Sequence, residues 1–292
     1  MLILIRWLAR LPWPTLHVLG AALGWLGYAL SGSYRRRLKA HAALAGLSRS
    51  QRRSAVAAAG RMVAELPRLW LRPADQALGS LVRWDGAELI AEGLRAGRGL
   101  VLLTPHLGCF EMCAQAIADR FGHRSTLTAL YRPARQAWLS DLQRTARNRP
   151  GLATAPANLT GVRQMMRALR RGEAVGLLPD QVPPRGMGVW APFFGRQAYT
   201  MTLASRLVQQ TGAAWLLIWT ERLPRGAGFV VHVSRPDQPL PAATSDGAGQ
   251  QADAALVNRA MESLIRQCPG QYLWGYHRYK SPAGAEAGEA AP

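Results

Sequence analysis

The sequence predicts an α/β domain with a mostly parallel central sheet flanked by helices, preceded by an N-terminal membrane helix. Three observations carry that expectation. From residue 100 to 267, short apolar runs alternate with helix-length segments, the pattern of strands joined by helical crossovers. Several of those runs end on polar or charged residues, at the strand ends where open parallel sheets hold ligands. Residues 11–30 carry no Lys, Arg, Asp or Glu, with Arg6 and Arg10 before them and Arg35, Arg36, Arg37 and Lys39 after.

The 292 residues divide into an anchor helix over 1–34, an α/β domain over 35–280 and a low-complexity, disordered tail over 281–292. The uncharged run has the length of a bilayer-crossing helix, and Trp7, Trp13, Trp25 and Tyr28 suit a membrane interface. Its glycines weaken the span and leave two alternatives, a helix lying in the interface or a buried helix. The basic residues after the run assign the bulk of the chain to the cytoplasmic side. Lys and Arg total 36 against 17 Asp and Glu, a net charge of +19. Such a surface attracts polyanions, although a GC-rich genome favouring Arg codons accounts for part of the excess. No helix-turn-helix, RNA-binding-sheet or zinc signature accompanies the charge, so no nucleic-acid partner is expected. Three cysteines without CxxC or metal spacing argue against structural zinc and a disulfide framework, and fit a reducing compartment.

Taken in order, residues 35–80 read as basic and helical, with Leu38, Ala42, Leu47, Val56, Met62, Val63, Leu66 and Leu69 as the apolar face. A strand at 100–104 precedes a helix at 111–119, and a strand at 126–131 precedes a helix at 136–147. The helix 162–171 leads to a strand at 174–179, and the helix 201–211 to a strand at 213–220. A further strand spans 228–233, a loop 237–253, and a last helix 252–267.

His106 and Glu111 lie five positions apart. On one continuous helix they would be roughly 140° apart, so His106 belongs in the strand-to-helix turn and Glu111 in the first helical turn. Tyr131-Arg132-Pro133 ends another strand, Pro133 blocking its continuation. Arg147 and Arg149 close the following helix, Asp180-Gln181 ends a third strand, and Phe193-Phe194-Gly195 follows a Pro/Gly-rich loop. In a parallel sheet His106, Tyr131, Arg132, Asp180 and Gln181 share one edge. They form a residue set for acyl transfer: a base, an orienting carboxylate, and cations for an oxyanion or a phosphate. Each also has a plain structural reading: a turn histidine, helix-capping arginines, a turn-capping aspartate, core phenylalanines. Cys109 as a thiol nucleophile lacks an activating neighbour.

Together these segments, with the closing Gln271-Tyr-Leu-Trp-Gly-Tyr-His-Arg-Tyr-Lys280, resemble the bacterial lipid A late acyltransferases, the lauroyl- and myristoyltransferases of lipopolysaccharide assembly. The resemblance covers nearly the whole chain. The broader glycerolipid acyltransferases are similar in His-x4-Asp, and Glu111 in place of Asp favours the lipid A branch. The chain departs from the family at Ala134-Arg-Gln-Ala137, where Asn-Pro is frequent, and at Gly270, where Glu is usual. The resemblance implies a glycerolipid-acyltransferase-like fold that moves a fatty acyl group from acyl carrier protein to a hydroxyl of a lipid A precursor. It implies no metal and no cofactor beyond the carrier's phosphopantetheine, and a place on the cytoplasmic face of the inner membrane, against its anionic leaflet. Carried over, His106, Glu111, Arg147 and Asp180 are catalytic, and Tyr131, Arg132, Arg149, Gln181, Phe193 and Phe194 bind substrate. In that scheme His106 deprotonates the acceptor hydroxyl and Glu111 holds the imidazole tautomer. Arg147, with Arg132, neutralises the oxyanion or the carrier's phosphate, and Asp180 orients a guanidinium. The other readings are an O-acyltransferase for another membrane lipid (phospholipid, ornithine lipid or other glycolipid) and a basic membrane protein without enzymatic activity.

Overall fold

The computed structural model describes residues 2–131, 134, 136–147, 149–241 and 247–282, without the side chains of 2, 137, 144, 145 and 147. The chain opens with helices α1 (Leu2–Arg10), α2 (Trp13–Leu30), α3 (Gly32–Leu44) and α4 (Arg49–Trp70). Ser48 caps α4 in a reciprocal pair with Gln51, satisfying two free backbone N–H groups at its start. Strands and helices then alternate: β1 (Val82–Asp85), α5 (Ala87–Arg95), β2 (Leu100–Leu103), α6 (Phe110–Phe121), β3 (Leu127–Tyr131), α7 (Ala137–Arg147), β4 (Leu152–Pro156), α8 (Leu159–Arg170) and β5 (Ala174–Leu177). A hairpin of β6 (Gly188–Phe193) and β7 (Arg196–Met201) follows, then α9 (Leu203–Thr211), β8 (Ala214–Arg222), β9 (Phe229–Ser234) and α10 (Gly247–Gln267).

Seven strands form one sheet in the order β1-β9-β8-β2-β5-β3-β4, parallel throughout except between β8 and β9. All four residues of β2 are buried, as a central strand covered on both faces requires. Alternation along the strand assigns them to two layers. Val101 and Leu103 join Val175, Leu177, Met165, Leu207 and Met261 on one side. Leu100 and Leu102 join Ile90, Met112, Ile117 and Phe121 on the other.

The expected N-terminal membrane helix is not supported: among the described residues no helix is long and apolar enough to cross a membrane. Pro12 divides the N-terminal stretch into α1 and α2. At 18 residues α2 is about 27 Å long, short of a hydrocarbon core of about 30 Å, and it carries His17 and three glycines. Those residues serve helix packing. α2 buries Trp13, Leu16, His17, Gly20 and Gly24. A Cβ on Gly24 would come within 2.2 Å of the Val56 carbonyl oxygen, and one on Gly60 within 1.9 Å of the Gly20 carbonyl oxygen. α2 and α4 therefore touch backbone to backbone. The opposite side of α2 stays apolar and open, with Val18, Leu23, Leu26 and Leu30 exposed.

A buried ion pair locks this arrangement to the sheet. Glu65 of α4, fully buried, accepts from Arg222 at the end of β8 through both carboxylate oxygens, Nη2–Oε2 being 2.6 Å. His17 Nε2 of α2 lies 2.9 Å from Glu65 Oε1. Burial acts to raise the Glu65 carboxyl, but the charge and hydrogen bonds of Arg222, aided by His17, hold it at about 2.

The loop expected over 237–253 gives way at Gly247, where α10 begins. Residues 283–292 of the expected tail lie outside the described residues.

A carboxyl held below its ordinary value stabilises the fold above pH ~4.5, and that contribution is lost as pH falls towards 2. Urea unfolding followed from pH 6 to pH 2 is expected to show stability falling across this window. Glu65→Gln is expected to flatten the fall. Glu65→Ala, which leaves a buried guanidinium without its carboxylate, is expected to cost about 3–5 kcal/mol at pH 7.

Candidate active site

β2 and β5 are neighbours in register, Leu103 opposite Leu177, and Thr104 N–H donates to the Leu177 carbonyl at 3.1 Å. His106 and Asp180 each stand three residues beyond those partners, so the sheet brings them side by side. Asp180 Oδ1 lies 2.8 Å from His106 Nδ1, and Asp180 Oδ2 accepts the His106 backbone N–H at 2.9 Å. One carboxylate thereby fixes both the ring and the backbone of the histidine. On the other ring nitrogen, the Gln181 side-chain amide nitrogen is 3.0 Å from Nε2. An ionised Asp180 makes Nδ1 the donor and leaves Nε2 as the acceptor of the Gln181 N–H.

Asp180 is 2 % exposed. Burial alone would raise its carboxyl, but the His106 imidazole and backbone N–H, with Arg278, hold it below the usual range. Tyr272 moves the opposite way: burial, and then the Asp180 charge, push its phenol well up. The Phe110 ring lies against the imidazole, with centroids 4.8 Å apart.

The turn itself is pinned from two sides. Leu273 N–H donates to the His106 carbonyl, Gly108 N–H to the Gln271 carbonyl, and Cys109 N–H to the Thr220 carbonyl. Arg222 Nη2 donates to the Gly108 carbonyl at 3.1 Å, which connects the Glu65 ion pair to the histidine turn. Gly108 has φ +59°, and a Cβ there would sit 1.9 Å from the Thr220 oxygen. Only glycine fits.

Glu111 lies in the first turn of α6, as its spacing from His106 predicts, and its Oε1 accepts the Trp70 indole N–H at 3.0 Å. The carboxylate on His106 Nδ1 is Asp180's, so the orienting role expected of Glu111 falls geometrically to Asp180. Nor is Asp180 spent on orienting a guanidinium as expected; its two oxygens hold His106. Tyr131 ends β3 at the same sheet edge. Arg149 is buried and donates to the Ala146, Pro73, Leu69 and Arg72 carbonyls, so it clamps the end of α4 to α7. Burial lowers its guanidinium to about 10. Phe193 and Phe194 are 2 % and 6 % exposed and belong to the core. Phe194 and Gly195 both have positive φ and form the two-residue turn of the β6–β7 hairpin. Arg132 and the side chain of Arg147 lie outside the described residues. Cys109 is buried, with its thiol pushed well up by desolvation and then by Glu65, which disfavours the nucleophilic thiolate.

The residues that sequence reasoning missed are those of the pinning layer: Arg222, Gln271 and Tyr272. Of these, Gln271 and Tyr272 lie in the C-terminal motif that carried part of the resemblance.

Comparison with known proteins shows the family. The profile of the family described as bacterial lipid A biosynthesis acyltransferase matches residues 1–281. The chain belongs to that family. It is 28 % identical to a lipid A biosynthesis lauroyltransferase of Escherichia coli (strain K12) over 287 residues, covering 95 % of this chain and 89 % of the relative. Identity to a lipid A biosynthesis palmitoleoyltransferase of the same organism is 25 % over 293 residues, 96 % and 90 % of the two chains. A lipid A biosynthesis acyltransferase of Haemophilus influenzae is 24 % identical over 281 residues, 93 % of this chain and 86 % of that one. As a member of the lipid A acyltransferase family, the chain is an acyltransferase.

Asp180→Asn keeps the shape but no longer enforces the Nδ1–H tautomer. It is expected to lower kcat on the order of 10³-fold with KM little changed, as measured by steady-state acyl transfer. Gln181→Ala is expected to cost less than about tenfold, since it removes a donor from Nε2 without changing the tautomer that Asp180 enforces.

Proposed function

We propose that this acyltransferase moves a fatty acyl group from the phosphopantetheine thioester of acyl carrier protein to a hydroxyl of a lipid A precursor, with His106 as general base. The observation that carries the reading is the His106 ring held at 2.8 Å by Asp180, with its other nitrogen aimed at a polar donor. The acceptor hydroxyl displaces the Gln181 amide from Nε2 and gives its proton to that nitrogen as its oxygen attacks the thioester carbonyl. Asp180 stabilises the imidazolium that forms. The tetrahedral intermediate then collapses, the C–S bond breaks, and the imidazolium returns its proton to the leaving phosphopantetheine thiolate. Both halves of the reaction use one nitrogen and need no acyl-enzyme.

Glu111 adds a second carboxylate beside this turn, held by Trp70. Arg147 is the family position proposed to neutralise the oxyanion or the carrier's phosphate, with Arg132 as its companion. The net charge of +19 supports acidic partners, the carrier protein and the anionic leaflet of the bacterial inner membrane, with the site on its cytoplasmic face. The exposed apolar residues of α1 and α2 suit work beside a lipid surface.

The test is transfer by the purified protein from a defined acyl-carrier thioester to a tetra-acylated lipid A precursor, read by mass spectrometry. The wild-type protein is expected to add the mass of one acyl group. His106→Ala is expected to reduce the rate by at least about 10³-fold with folding intact. Near-normal turnover by His106→Ala would remove the general-base assignment, and transfer to a phospholipid in preference would replace the acceptor.

A further inference from the structure

Between α1, the end of α4 and the turn after it lies a cavity of about 630 Å³, within the range of small-ligand sites. Four arginines line it: Arg6, Arg10, Arg68 and Arg72. His106, Asp180 and Gln181 do not line it, so the cavity is separate from the histidine turn. Arg68 is fixed by donating to the Leu11 carbonyl and by lying 5.1 Å over the Trp13 ring. Arg72 is fixed through Gln115 Oε1 at 3.0 Å and the Gln76 carbonyl. The only carboxylate paired with any of the four among the described residues is Asp119, at 4.0 Å from Arg72. Four arginines around one cavity with a single carboxylate nearby leave a surplus of positive charge that suits an anion.

The helix that supplies two of them also defines what the anion is attached to. On α1, Ile3, Arg6, Trp7 and Arg10 share one face by helical spacing, while Ile5 and Leu8 pack against the core. Ile3 is 83 % exposed, Leu4 57 % and Trp7 53 %. Arg6 and Arg10, without an ion pair among the described residues, stand beside uncovered apolar side chains, which matches an anion joined to hydrocarbon better than a free one. Guanidinium forks are suited to phosphate oxygens.

We infer that this cavity binds the phosphate of an anionic lipid, with the exposed face of α1 against the apolar part of that lipid. The phosphate is that of a membrane phospholipid or of the acceptor glycolipid itself. The second source rests on the reading given under the proposed function; binding as such does not, because it needs neither His106 nor transfer.

The experiment uses the full chain with Arg6→Gln and Arg10→Gln combined, and the charge-retaining Arg6→Lys/Arg10→Lys variant as its control. Sedimentation is measured with phosphatidylcholine vesicles, with and without phosphatidic acid, and thermal melting confirms that the fold is kept. The Gln variant is expected to lose affinity for the phosphatidic acid vesicles about 20- to 30-fold, and the Lys variant, which keeps the charge but not the fork, to lose less. Equal binding by the Gln variant and wild type would overturn the proposal, as would loss of affinity for plain phosphatidylcholine by the same factor. A parallel assay compares KM for a phosphorylated and a dephosphorylated acceptor. A shift in that ratio in the Gln variant assigns the site to the acceptor's phosphate, whereas an unchanged ratio with vesicle binding lost assigns it to the surrounding lipid. Failure of transfer by wild type, with vesicle binding intact and Arg-dependent, would count against the proposed function and leave this site standing.

Discussion

The ion pair between Glu65 and Arg222 is the constraint around which the rest of the molecule is arranged. A carboxylate and a guanidinium, both removed from water, tolerate that position only with their hydrogen bonds made. Making them fixes three things at once. Glu65 takes His17 and so sets α2 on α4. Arg222 closes the end of β8 through Gln271. Its Nη2 also reaches the Gly108 carbonyl, two residues beyond His106. The helical N-terminal layer, the sheet and the C-terminal segment therefore meet at the His106 turn. Neighbouring contacts repeat the logic: Trp70 of α4 holds Glu111, and Gln115 of α6 donates to the Leu69 carbonyl.

Much of this was legible in the sequence because it is local. The five-residue spacing from His106 to Glu111 requires a turn followed by a helix, and that is how they lie. The alternation of strand and helix follows from short apolar runs and their breaks, and the strand ends fall together because the strands are parallel. What sequence does not carry is the order of strands. β2 and β5 are separated in the chain by β3 and β4, yet pair in the sheet. That adjacency gives Asp180 to His106 and leaves Glu111 to Trp70, which spacing alone would not reveal.

The N-terminal stretch shows the opposite difficulty. Its lack of charge reads as a span, but the residues that lower its hydropathy, His17 and the glycines, are there to meet Glu65 and the backbone of α4. Phe193 and Phe194 likewise read as ligand-lining aromatics. Their place is in the core, where Phe194 accepts a left-handed backbone at the hairpin turn and its N–H donates to Glu262. Arg149 has the composition of an anion ligand and the bonds of a structural clamp. In each case the burial partner comes from a distant segment, and only the fold brings it near.

The central claim is that Asp180 sets His106 so that Nε2 holds the lone pair. Nitrogen-15 spectra of the protein labelled at histidine imidazoles, with His106 assigned by substitution, read the tautomer directly. A neutral His106 is expected to carry its proton on Nδ1, and Asp180→Asn to lose that preference. A wild-type His106 carrying its proton on Nε2 would contradict the claim, because the nitrogen facing Gln181 would then have no lone pair to receive a proton.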